Sequence, residues 1–163
     1  MFDILKYEVR IQQGRANLMT KEKKLIGFHV VLLIVCGICR IYCQMHMTEW
    51  YYRYQNGIML KICLAYAKPL FYYATGFLLT YVLARKAFRD DLQLPYKGLG
   101  IAGGVLMAMY VFAVLTIELA AFTDIVAKSK VYYFMLSSIL AYYWLLCIPG
   151  VLFGLAAEKR WQS

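Results

Sequence analysis

Four apolar stretches, residues 25–45, 57–84, 98–123 and 131–157, divide the chain, and each is long enough to cross a membrane. A hydrocarbon core of roughly 30 Å takes about 20 residues of helix at 1.5 Å per residue. A water-surrounded core would not absorb this much apolar surface: 63% of the 163 residues are hydrophobic, against about 45–50% in a soluble domain. In lipid a spanning segment has to satisfy its backbone N–H and C=O groups without water, which selects helices for segments of this kind. The expectation is an all-α integral membrane protein, a four-transmembrane-helix bundle. The second and fourth stretches exceed the minimum and are expected to tilt or to project beyond the bilayer.

The cations set the orientation. One side takes Lys6, Arg10, Arg15, Lys21, Lys23 and Lys24, then Arg85, Lys86, Arg89 and Lys97, then Lys159 and Arg160, which makes twelve. The other side takes three, Arg53, Lys128 and Lys130. Basic loops stay in the cytoplasm, so both termini are expected there, in a multi-pass protein of an inner or plasma membrane. The net charge of +9 is therefore juxtamembrane and meets anionic headgroups. It does not form the clustered face that nucleic acid requires.

Residues 1–24 contain no apolar run of signal-peptide length, and they read as a cytoplasmic N-terminal segment with a short helix over 3–18. Residues 25–157 form the transmembrane domain, and 158–163 a cytoplasmic tail. Within the N-terminal helix, Ile4, Ile11 and Leu18 line one side, while Phe2, Leu5 and Val9 line nearly the opposite one. A helix lying on a lipid surface has a single apolar face. Two faces suit a helix held between the bundle and a second chain. At the outer ends, Trp50, Tyr51, Tyr52 and Tyr54, and then Tyr132, Tyr133 and Phe134, read as headgroup-level belts.

Polar chemistry inside the spans is sparse. His29, Cys36, Cys39, Arg40 and Cys43 fall within about 120° of one another at 100° per residue, so they share one face of the first span. Cys36 and Cys39 form a Cys-x-x-Cys pair, and Cys63 lies within reach of Cys43. A pair of this kind in a four-span chain is similar to that of quinone-coupled membrane thiol oxidoreductases. It departs from them because it lies within the apolar span and the outer loops hold no Cys. Thiol exchange needs a reachable thiolate and a partner disulfide, whereas small apolar Cys is commonly a packing residue.

The second span carries Lys61 and Lys68. Lys61 can snorkel to the outer headgroups, but Lys68 lies about 16 Å deep along an untilted axis. A charge at that depth costs roughly 2.5–3.5 kcal/mol on insertion scales, so it should face the bundle, water or a counter-ion. Glu118 in the third span offers that counter-ion, and Arg40, Lys68 and Glu118 are expected to meet in the outer half. Pro69 and Pro149 are expected to bend their helices. Gly100 and Gly104, and again Gly150 and Gly154, are spaced for close helix approach.

The chain lacks a nucleotide loop, a metal-ligand cluster of known spacing and a hydrolase elbow. No cofactor, metal or catalytic residue is expected. The reading is a non-enzymatic subunit of a homo- or hetero-oligomeric membrane assembly. The alternatives are a small oligomeric transporter or channel for a polar or anionic solute using the Arg40, Lys61, Lys68 and Glu118 cluster, and a membrane thiol–disulfide oxidoreductase.

Overall fold

A computed structural model of the chain describes residues 2–49, 62–87, 95–120 and 130–162. Trp50, Tyr51, Tyr52, Arg53, Tyr54, Lys61 and Lys128 lie outside the described residues. Helix α1 spans Phe2–Glu49. A π-helical segment, Ile62–Ala67, leads into α2, Lys68–Ala87. Helix α3 covers Tyr96–Ala120. The last run is α4, Lys130–Tyr142, then a 3₁₀ turn, Tyr143–Leu146, then α5, Cys147–Gln162. No strand occurs among the described residues.

Three runs are long and apolar enough to cross a membrane, Thr20–His46, Ile62–Arg85 and Lys97–Leu119. The apolar part of the fourth, Tyr143–Ala157, is shorter because the run is divided. Pro149 accounts for the division. It has no N–H, and its ring crowds the carbonyl four residues back, at Leu145. The chain tightens to 3₁₀ over that carbonyl, Tyr142 leaves helical geometry at φ −122° and ψ 22°, and α5 restarts with Pro149 in its first turn, where a missing donor costs least.

The N-terminal helix is not a separate element. It runs without a break into the first span, giving one helix of 48 residues, about 72 Å long. A single Gly inside a helix costs about 1 kcal/mol, which does not stop propagation through Gly14. Residues 2–19 therefore extend α1 by about 27 Å beyond its apolar part.

Helix α2 is central: 39% of its apolar run is buried, against 11% for α1 and 22% for α3. It packs most extensively on α5, while α1 lies on α2, and α3 on α5 and α4. Glycine makes the α2–α5 seam. A Cβ on Gly150 would stand 2.2 Å from the Tyr73 carbonyl oxygen, one on Gly154 2.7 Å from that of Phe77, and one on Gly76 2.5 Å from that of Cys147. The two backbones touch there. On α3, Gly103 faces Leu152 and Phe153, and Gly100 faces Ala156.

Outward positions are apolar. Val31, Ile34, Ile38 and Ile41 on α1, and Ile101, Met109, Phe112 and Leu115 on α3, are exposed large hydrophobics. Such a surface is stable against lipid and would be a liability in water.

Candidate functional site

The end of the bundle away from Glu22 and Arg85 is built around a break in a helix. Pro69 cannot donate to the carbonyl of Ala65, four residues earlier, and its ring crowds that carbonyl. The turn before it widens into the π segment, whose residues Cys63, Ala65 and Ala67 are buried. A free carbonyl among apolar side chains is expensive, and the Tyr110 hydroxyl of α3 donates to it. Tyr110 and Tyr66 both pack against the cluster of Ala113, Val114 and Ile117. Tyr110→Phe removes the donor and leaves the ring in place. We expect it to cost about 1 kcal/mol, in the range of hydrogen bonds between membrane helices. The check is the unfolding midpoint of the detergent-solubilised chain in dodecyl sulfate, where a wild-type midpoint would show that the bond carries no stability.

The charged residues described in this part of the bundle sit around the break, Arg40 and Lys68 each against an aromatic ring. The Arg40 guanidinium on α1 lies 5.1 Å from the ring centre of Phe71 and 5.3 Å from that of Tyr72. The Lys68 ammonium lies 5.5 Å from the centre of the Tyr143 ring. The Tyr72 and Tyr143 rings are neighbours, with centroids 5.5 Å apart, so the two cationic seats form one patch. Cation–ring contacts of this kind supply about 0.5–2 kcal/mol, more when water is excluded. Glu118 on α3 accepts a hydrogen bond of 2.6 Å from the Tyr66 hydroxyl. All three expected residues thus lie around the π segment, and the contacts described for them run through tyrosine and phenylalanine. Tyr66, Tyr72, Tyr110 and Tyr143 were not legible as partners, because their spacing alone does not distinguish them from belt or core aromatics.

Cys43 on α1 and Cys63 in the π segment are neighbouring buried thiols, with Lys68 close by. All five cysteines are free thiols; Cys36, Cys43 and Cys63 are buried, and Cys39 and Cys147 half-buried. Among the described residues, no three His, Cys, Asp or Glu side chains converge as metal ligands would.

The opposite, basic end is tied differently. Glu22 on α1 accepts hydrogen bonds from the Tyr81 hydroxyl and from Arg85, the latter at 3.2 Å and also an ion pair. Tyr81 and Arg85 lie four residues apart on α2, so both reach one carboxylate. His29 is buried against Phe77, the rings stacked with centroids 3.6 Å apart and 12° between planes. Its Nδ1 lies 2.9 Å from the Leu25 carbonyl oxygen and its Nε2 3.3 Å from the Tyr73 hydroxyl. A carbonyl only accepts, which assigns the proton to Nδ1 and leaves Nε2 to accept from Tyr73. Both ring nitrogens are spent, and His29 is a packing residue with a satisfied hydrogen-bond set.

Comparison with protein-family models, with curated proteins and with solved structures gives no match.

Proposed function

We propose that the chain is a four-span integral membrane protein of an inner or plasma membrane, with both termini in the cytoplasm. In this reading it serves as a non-enzymatic subunit of a homo- or hetero-oligomeric assembly. The membrane part draws on the three long apolar runs, the exposed hydrophobics around them and the twelve-to-three distribution of cations.

The assembly part draws on one observation above all. Gly150 and Gly154 are consumed by the seam with α2, and Gly100 and Gly103 face α5, but a Cβ at Gly104 would meet nothing within 4 Å. Ala108 follows on the same row of α3 and is exposed, which leaves a small-xxx-small surface turned away from the bundle. Lipid gains nothing from such a surface, whereas a second helix approaches closely on it. The ring-faced seats of Arg40 and Lys68 support packing over conduction, because a cation covered by ring faces presents less of itself to a passing solute.

The test is the mass of the detergent-solubilised particle, read with whatever co-purifies. The wild-type particle should exceed the 18.9 kDa chain after the detergent is subtracted. Gly104→Leu should reduce it to a single chain while leaving the unfolding midpoint near wild type, since the site is open within the subunit. A wild-type particle of one chain with nothing bound would overturn the proposal.

A further inference from the structure

At the basic end, α1 and α3 stand apart over a floor made by α2 and α5, and the gap between them is a groove of about 730 Å³. That lies within the roughly 300–1,000 Å³ typical of pockets for small molecules and cofactors. Leu25 and His29 form one wall, Ile101 the other, and Tyr73, Phe77 and Phe153 the floor. Small side chains create the space, because Gly100 and Ala156 line it where larger residues would fill it.

The chemistry of the lining is lopsided. His29 looks polar, but both its nitrogens are already engaged, by the Leu25 carbonyl and the Tyr73 hydroxyl. Tyr73 has spent its proton on His29 and retains only acceptor capacity. The interior therefore suits a long apolar body without hydrogen-bonding demands of its own. The mouth differs: Lys97 lines it from the first turn of α3. Lys21, exposed, lies four residues before Leu25 and eight before His29, on the row of α1 that walls the groove. The start of α3 adds the positive end of its dipole and first-turn N–H groups without helical acceptors. Glu22, the acidic residue described at this end of α1, is held by Tyr81 and Arg85.

We propose that the groove holds an acyl chain of one anionic phospholipid, with its phosphate at the mouth between Lys97, Lys21 and the start of α3. The inference rests on the membrane embedding proposed above and is independent of assembly. The lipid fills the gap between α1 and α3 that the protein's own side chains leave open, joining two helices that are each held mainly through α2 and α5.

The test uses the full chain, delipidated in a neutral detergent and titrated with phosphatidylglycerol or phosphatidylcholine of identical acyl chains, with binding read by native mass spectrometry. Wild type should retain one phosphatidylglycerol at least about tenfold more tightly than phosphatidylcholine, the preference two lysines can supply near a headgroup. Lys97→Gln combined with Lys21→Gln should bring the two lipids within about twofold. Gly100→Leu should abolish retention of both, since a Cβ there meets only Ala156, at 3.9 Å, and the longer side chain occupies the groove. Equal wild-type affinity for the two lipids would overturn the proposal. Undiminished retention by Gly100→Leu would overturn it as well, and if that variant also lost particle mass, the occupant would be a helix of another chain. Extraction of the wild-type chain from vesicles by alkaline carbonate would instead defeat the embedding itself.

Discussion

Gly150→Ala should be the most damaging single-methyl change in this chain. The added Cβ would stand 2.2 Å from the Tyr73 carbonyl oxygen and 3.0 Å from the Phe77 backbone nitrogen. Both obstacles are backbone, so no rotamer change relieves the clash and α2 and α5 have to part. In a membrane that separation is costly, because helices associate there through close van der Waals contact and interhelical hydrogen bonds rather than through exclusion of water. We expect a loss of about 3 kcal/mol, the upper part of the usual range for overpacking, read as a lowered midpoint in dodecyl sulfate and a reduced yield of folded protein. Gly27→Ala, the same chemical change on α1, meets nothing within 4 Å and serves as the control. Replacing Gly inside a helix adds a few tenths to about 1 kcal/mol of helix stability, so the two variants should move the midpoint in opposite directions. Equal midpoints would show that the α2–α5 seam yields easily.

Phe77→Ala should follow closely. Phe77 is 2% exposed and is the largest fully buried side chain in the described structure. Its ring stacks on His29 from α1 and parallel to Tyr81 along α2, at centroid distances of 3.6 and 6.1 Å, while its backbone bears on Gly150 and Gly154 of α5. Truncation removes the stacked contact through which His29 of α1 meets the α2–α5 pair. In a water-soluble core Phe→Ala costs about 3–5 kcal/mol, part of it transfer of the ring from water. In a bilayer the unfolded chain keeps the ring in acyl chains, so the transfer part largely vanishes and the cavity part remains. The expected loss is then about 2–3 kcal/mol, measured by the same dodecyl sulfate titration. Phe77→Leu, which keeps most of the volume, should lose less than about 1.5 kcal/mol. If alanine and leucine cost the same, the stack on His29 carries the stability rather than the volume.

How far the sequence determined this protein follows from what a linear pattern can encode. The lengths of the apolar runs, the cation distribution and the positions of Pro69 and Pro149 act within one segment. Helical structure throughout the described residues and three of the four expected runs of spanning length were accordingly legible, and the bends expected at both prolines take the form of a π segment and a 3₁₀ turn. Depth along each run also put Cys43 at the level of Cys63 and Arg40, Lys68 and Glu118 in one half of the bundle. The period says which residues share a face, but the neighbour opposite that face depends on each helix's rotation and register. Only the tertiary structure therefore decided that Tyr110 supplies the hydrogen bond Pro69 cannot, and that Arg40 and Lys68 lie on ring faces. It also showed that Glu22 ties α1 to Tyr81 and Arg85. Gly150, Gly154 and Gly104 look alike in sequence, each a small residue four from another. Close packing used the first two, where a Cβ would stand 2.2 and 2.7 Å from α2's backbone, and left the third, where a Cβ would meet nothing within 4 Å.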